Sequence, residues 1–334
     1  MHQDEHYMGL AIEAARSARH RCTPNPWVGA VLVAADGSVV SGSTQAYGGA
    51  HAETMALNET TDPQGGTLYT TLEPCNHTGR TGACCEAIIG SGISRVVAAI
   101  EDPDPLVAGR GFERLRQGEV DVTVGVRAAE VERQLRPYLH HRRTGRPWVV
   151  LKLATTLDGR AAAPDTTSQW ITGAKARADV HYLRAISDAI VVGAGTVRAD
   201  DPSLTVRHWP GDDQTVDPEE VRDPRRVVLG SAPSSAKVHP CLEWDRGLDE
   251  LLEHLGESRV VQLLVEGGPR VAHFFHRASL IDQYVLYLAP ALMGGDDGAG
   301  LFSGPGAATI SDVWRAEFES VQQIGNDLRI DLVN

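Results

Sequence analysis

Residues 51–92 read HAETMALNETTDPQGGTLYTTLEPCNHTGRTGACCEAIIGSG, and their order decides how the first half of the chain folds. An imidazole (His51), a carboxylate two residues on (Glu53) and two thiols (Cys75 and Cys84) make the donor set of a catalytic zinc site. Three protein ligands leave the fourth position of Zn²⁺ to water, whose pKa falls from about 15.7 toward 7. Glu53, unattached to the metal, is then placed to carry a proton from the attacking water to a departing amine. Residues two apart point to different sides of a helix, so His51 and Glu53 reach one target only if a helix starts near His51 and aims its N-terminus at the ion. Cys84 in turn opens an expected helix, Cys84–Ile89, stopped by Gly90-Ser91-Gly92, and a helix N-terminus favours a thiolate. A closed, structural zinc is the alternative, with Cys85 as fourth ligand. Adjacent helical residues diverge by about 100°, so Cys84 is expected to bind and Cys85 is not.

Working outward, the first half alternates helices and strands. A helix over about Asp4–Arg19 carries Met8, Ala11, Ile12 and Ala15 on one side. Val28–Val33 and Ser38–Ser41 form a hairpin around Ala35-Asp36-Gly37. Strands follow at Thr67–Thr71, Val96–Ile100 and Val120–Val124, then a helix over about Ala128–His140. This alternation predicts an α/β fold, a three-layer sheet with helices on both faces. The loop Asn76-His77-Thr78-Gly79-Arg80-Thr81-Gly82 sets polar groups and a cation beside the metal, a cradle for a substrate phosphate with His77 and Arg80 as donors. Asn25, in Thr23-Pro24-Asn25-Pro26, is placed to hydrogen-bond a heterocycle; taken alone it is a turn residue.

The chain has 334 residues, enough for two domains. No run of about 18 apolar residues predicts a membrane span. The opening MHQDEHYMGL has neither the basic nor the apolar region of a signal peptide. Five cysteines, an odd number, suit a reducing cytoplasm better than a disulfide framework. Net charge is −13 without a basic stripe, which argues against a polynucleotide partner and leaves a small phosphorylated substrate open. The basic run His140-His141-Arg142-Arg143-Thr144-Gly145-Arg146-Pro147 marks a boundary, giving domains at 1–145 and 146–334.

Beyond it, strands are expected at Trp148–Leu153, Ala189–Val192, Arg226–Leu229, Val260–Val265 and Tyr284–Leu288, with a last one near Asp327–Leu332. Helices fall near Ala174–Ile186, Leu248–Leu255 and Pro269–Arg277, so a second sheet covered on both faces should bind ligands at its strand carboxyl ends. Gly193-Ala194-Gly195 would let backbone approach a phosphate, and Glu266-Gly267-Gly268-Pro269 precedes a helix whose amides could hold a pyrophosphate. Neither is the full dinucleotide fingerprint, and either alone is more often a tight turn. Lys152 is placed either beside a reacting sugar carbon or as a snorkelling strand cation. The run Met293–Gly298 reads as a mobile loop with no role.

Thr23-Pro24-Asn25-Pro26-Trp27-Val28-Gly29, His51-Ala52-Glu53 and Pro74-Cys75-Asn76-His77-Thr78-Gly79-Arg80-Thr81 resemble the bifunctional riboflavin-biosynthesis deaminase/reductase family. Eight residues separate Cys75 from Cys84, where nucleoside and RNA-editing deaminases typically have two. Ser168-Gln169-Trp170-Ile171-Thr172-Gly173, GAGTVRADDPSLTVR (193–207) and Leu264-Val265-Glu266-Gly267-Gly268 resemble its reductase half. The chain departs from the family at Gly82-Ala83, where two prolines are common, at the extra Cys85, and at Thr44, where a histidine often stands. It departs again at Gly230, often an aspartate, and in a shortened segment after it.

The resemblance implies a cytidine-deaminase-like N-terminal domain and a dihydrofolate-reductase-like C-terminal domain. It implies zinc on His51, Cys75 and Cys84, with Asn25, Asn76, His77 and Arg80 on the substrate. NADPH would be held by Ala154, Trp170, Thr196, Asp200, Ser231 and the segment Gly268, Pro269, Arg270, Val271, Ala272, His273 and Phe274. Ser168, Arg184, Leu204, Arg207 and Glu266 would contact the second substrate. The implied reactions are deamination of 2,5-diamino-6-(5-phosphoribosylamino)pyrimidin-4(3H)-one and then NADPH-dependent reduction of its ribosyl group, by a homodimer or larger assembly. Alternatives are a polynucleotide or nucleoside deaminase with an accessory domain, a reductase with a vestigial first domain, and a non-enzymatic zinc module.

Overall fold

A computed structural model describes residues 2–60, 62–77, 82–105, 107–207 and 221–333. The chain divides into two compact units, Met1–Gly145 and Arg146–Asn334. The first contains α1 (His2–Ala18), β1 (Gly29–Val33), β2 (Val39–Ser43), α2 (Ala52–Glu59), β3 (Thr67–Leu72), α3 (Cys84–Gly90), β4 (Arg95–Ile100), α4 (Arg110–Gln117), β5 (Asp121–Val124) and α5 (Ala128–Thr144). Its sheet runs β2-β1-β3-β4-β5. The hairpin partner and β3 are antiparallel to β1, and the remaining pairs are parallel. Leu68–Leu72 and Val96–Ile100 are buried without interruption, as strands covered on both faces must be.

Two glycines show how the layers close. A Cβ on Gly29 would lie 1.9 Å from the Ala11 carbonyl oxygen of α1, and one on Gly42 would lie 2.3 Å from that of Ala52 in α2. Gly29 pairs with Ser43 and Ala30 with Gly42, so the two glycines sit one step apart in the ladder and their missing side chains point to opposite faces. The helices α1 and α2 therefore cover opposite faces, and α2, which carries the His51 end of the site, sits directly on β2.

The second unit contains β6 (Trp148–Thr156), β7 (Arg160–Ala162), α6 (Ala174–Ala185), β8 (Ala189–Gly193), α7 (Ala194–Asp200), β9 (Arg225–Leu229), β10 (Leu242–Trp244), α8 (Leu248–Glu257), β11 (Gln262–Val265), α9 (Pro269–Arg277), β12 (Gln283–Ala289), β13 (Ala299–Gly300), β14 (Glu317–Ile324) and β15 (Asp327–Val333). Its eight-stranded sheet runs β10-β9-β8-β11-β6-β12-β15-β14. The six strands from β10 to β12 are parallel, and β15 and β14 close it antiparallel. Alternation along β6 feeds two cores. Val149, Leu151 and Leu153 pack with Leu251 and Leu255 of α8 and Phe275 of α9. Trp148 and Val150 pack with Val180 and Leu183 of α6 and Val197 of α7.

Several expectations change. The helix expected to end near His140 takes in most of the basic run: α5 continues to Thr144 and ends at Gly145 in a left-handed conformation (φ 74°), with the division between the units directly after it. Its cations His141, Arg142 and Arg143 lie in the last turn, where the helix dipole favours them. Gly193-Ala194-Gly195 is not an open loop, because α7 starts at Ala194 directly after β8. The Met293–Gly298 run is tethered, since the backbone N–H groups of Met293 and Gly294 donate to Asp158.

The polarity of β15 is reversed. Asp327 and Asp331 are buried, while Leu328, Ile330 and Leu332 alternate with them on the opposite face, which opens toward Leu328 and meets the core at Leu332. Arg329 bonds Asp331 and, with Tyr287, Asp179 of α6, so the polar side is the one the helix covers. Across the ladder Leu332 stands beside Phe318 of β14, Ile330 beside Val321 and Leu328 beside Gln323, and Phe318 is 72% exposed.

Candidate zinc and substrate sites

His51 is the residue before α2, extended at φ −77° and ψ 162°, and Glu53 lies in the first turn. The imidazole Nδ1 stands 3.5 Å from the Cys75 Sγ and 3.3 Å from the Cys84 Sγ. Among the described residues these three form the one group of histidine, cysteine and acidic side chains whose donor atoms lie within 4.8 Å of one another. Cys84 opens α3, and its backbone N–H donates to the Cys75 sulfur at 3.4 Å. One nitrogen and two sulfurs in this spacing, with no fourth protein donor, suit a borderline-soft ion with an open position. Cys85 points elsewhere: its thiol donates to the carbonyls of Pro74 (3.3 Å) and Gly111 (3.5 Å), and burial pushes it up to about 12. Ala83 has φ −64°, the value a proline ring imposes, so the entry to α3 would admit a proline there.

The hydrogen bond from Cys84 holds Cys75 down to about 4 and pushes Cys84 upward. The Cys75 contact raises His51 to about 8. Burial pushes Glu53, 4% exposed, up to about 7, so it exchanges a proton readily near neutral pH.

These groups open into a cleft of about 310 Å³ that Asn25 and His77 also line. Asn76 is half-buried beside it, and Arg80 lies outside the described residues. Thr44 lines the cleft too, but its hydroxyl accepts the Val28 N–H at 3.0 Å and brings no cation. The far wall holds residues that the spacing did not single out: Asp102, Tyr138 and Arg142. The Tyr138 hydroxyl donates to both Asp102 oxygens (3.1 and 3.2 Å), and burial pushes Asp102 up to about 6. A polar Asp102-x-Asp104 pair directly after an apolar strand was the available signal.

In the second unit, β11 pairs Val265 with Leu151 of β6, which sets Glu266, just past the end of β11, next to Lys152 in the middle of β6. Arg184 of α6 donates to Glu266 twice, at 2.7 and 2.9 Å, and to the Thr205 carbonyl at 3.2 Å. Burial would raise the Glu266 carboxyl, but Arg184 outweighs it and the net shift is downward; burial lowers Lys152. Leu204 is buried, and Arg207 is exposed with its guanidinium on Ser203. A second group forms where α7 meets α9: a Cβ on Gly268 would lie 3.7 Å from the Thr196 hydroxyl, and Gly268 precedes α9 with no side chain capping its amides. Of the segment that follows, Val271 and Ala272 are packed into the core and His273 is buried, so Arg270 and Phe274 are its exposed side chains. Ala154 is half-buried on β6, and Asp200 ends α7 exposed. Ser168, Trp170 and Ser231 lie on exposed segments outside both groups, with Arg177 over the Trp170 ring.

Residues 1–100 match the family model for the cytidine and deoxycytidylate deaminase zinc-binding region, and residues 147–330 that for the RibD C-terminal domain. The riboflavin biosynthesis protein RibD of Escherichia coli (strain K12) is 39% identical, with 99% of each chain covered. That of Mycobacterium tuberculosis (strain CDC 1551 / Oshkosh) is 40% identical over 98% of this chain and 96% of its own. Among solved structures, Acinetobacter baumannii RibD superposes with a TM-score of 0.92 at 34% identity, covering 99% of this chain and 98% of that one. A diaminohydroxyphosphoribosylaminopyrimidine deaminase/5-amino-6-(5-phosphoribosylamino)uracil reductase from Thermotoga maritima gives 0.87 at 32% identity, covering 99% of each.

Proposed function

The chain belongs to the RibD family of bifunctional riboflavin-biosynthesis deaminase/reductases, and from that premise we propose how its residues divide the two reactions. The carrying observation is the convergence of His51, Cys75 and Cys84 on one point of a cleft that also holds the buried Glu53. Residues 1–145 form the pyrimidine deaminase, with those three residues holding Zn²⁺. When bound, the ion would supply Lewis acidity toward the attacking water. Glu53 takes the proton from the attacking water and delivers it to the amine, which leaves as ammonia. Asn25 and Asn76 orient the diaminopyrimidinone, and His77 and Arg80 hold its phosphate.

Residues 146–334 form the reductase. NADPH supplies the hydride when bound. The uncapped amides at Gly268 suit its pyrophosphate, with Thr196 beside them, and Ala154, Asp200, Arg270 and Phe274 are the further residues assigned to it. Lys152 is assigned to the ribosyl carbon and Arg207 to the substrate phosphate, and Arg184, held by Glu266 and bonded to the Thr205 carbonyl, fixes the 204–207 segment. The net charge of −13 supports a small phosphorylated substrate over a polynucleotide. Its cysteine usage fits the cytoplasm. Among the described residues no helix is long and apolar enough to cross a membrane.

We place a second copy of the chain on the open face of β15. An apolar sheet face over a charged, buried reverse side needs an apolar complement, and the same face of another protomer supplies one at equal concentration.

The test is incubation of zinc-loaded protein with the phosphoribosylated diaminopyrimidinone, followed by mass spectrometry. The deaminated product without NADPH, and the ribityl product once NADPH is added, are expected. Ammonia release with no later reduction would confine activity to the first unit.

A further inference from the structure

We propose that Glu73 is a positioning residue for deamination, holding the Cys75 bend and the Asp102 wall of the cleft in one fixed relationship. Glu73 follows β3 and precedes Pro74-Cys75, and it is 3% exposed. Its Oε2 accepts the backbone N–H groups of Asp102 (3.2 Å) and Gly109 (2.9 Å), and its Oε1 those of Gly111 (2.8 Å) and Phe112 (3.3 Å). Three of these donors sit at the start of α4, whose preceding residue, Gly109, has no side chain to cap them. A negative group at that end also complements the helix dipole. The same carboxylate thus caps a helix, pins the strand end that carries Asp102 and anchors the residue next to the Pro74-Cys75 bend.

The bend is held from its other side as well. A Cβ on Gly111 would lie 2.1 Å from the Pro74 carbonyl oxygen, so α4 abuts the bend with no room for a side chain. The Cys85 thiol donates to that same carbonyl, and the Cys85 N–H to the Cys75 carbonyl at 3.2 Å. Cys75 therefore has little freedom once Glu73 is in place. Each oxygen of Glu73 serves two donors, so only a carboxylate satisfies the set. Glutamine has the same shape but would turn its NH₂ toward two N–H groups.

This inference rests on the zinc-deaminase reading of the first unit. The test compares full-length wild type, Glu73→Gln and Gly111→Ala. Readouts are zinc retention against a chelator, the visible d–d bands of the cobalt(II)-substituted protein, deaminase kcat and KM, and reduction of the deaminated intermediate. For Glu73→Gln, metal affinity or deaminase kcat should fall between about 10- and 100-fold. The cobalt bands should change with it, and reductase turnover should stay within about twofold of wild type. Wild-type metal retention, cobalt bands and deaminase kcat in Glu73→Gln would overturn the proposal. Should that variant lack a folded first unit, Gly111→Ala decides: its methyl would press on the Pro74 carbonyl and on the Glu73 carboxylate (3.0 Å from Oε1) without changing its charge, and wild-type behaviour there overturns the proposal equally. Zinc content and turnover of the wild type test the zinc reading separately.

Discussion

Arg184 and Glu266 face each other through two hydrogen bonds, 2.7 and 2.9 Å, with side chains only 12% and 9% exposed. A buried pair of this kind contributes little net stability compared with apolar residues, but losing one partner strands the other. Glu266→Ala should destabilise the second unit by about 3–5 kcal/mol, read by denaturant unfolding while deamination persists. The carboxyl is depressed below its ordinary 4.5, so its contribution is present above that value and disappears as pH falls through the folded-state pKa. A variant with an unchanged acid limb would show that the pair does not set it.

Glu53→Gln keeps the shape of the side chain and removes its proton transfer. Deaminase kcat should drop by about 10²- to 10⁴-fold, with reduction of the deaminated intermediate untouched. Loss of both activities would mean that the two sites are not independent.

Gly42→Ala would push a methyl group against the Ala52 carbonyl at the start of α2. The cost should be about 1–3 kcal/mol, and His51 should move with the helix. Differential scanning calorimetry and zinc content should therefore change together. A stability loss with full zinc retention would show that the helix absorbs the strain without shifting its first turn.

Phe318→Asp and Val321→Asp place charges on the open face of β14 without touching the core. Light scattering should show protomers where the wild type shows a larger mass, with unfolding of the isolated protomer little altered. An unchanged mass would move the assembly surface elsewhere.

The zinc ligands were legible because short-range spacing carries them: His51 and Glu53 make sense only at a helix start, and Cys84 only at another. Strands buried on both faces were equally plain as apolar runs. The far wall was not legible, because Asp102, Tyr138 and Arg142 come from separate elements that meet only in the tertiary fold. Glu73 drew no reading from the sequence, since its four partners lie 29 to 39 residues downstream. The α5 extension was hidden by its cations, which suggested a linker while serving a helix end. The reversed strand β15 has ordinary alternation, and only Asp179 on α6 reveals which side is inward.

Gly145 has one more consequence. Each unit completes its own sheet and core on its own side of that residue, so the peptide bond beyond it adds neither fold nor site. What it adds is parity: each deaminase is made together with one reductase, whatever the level of expression.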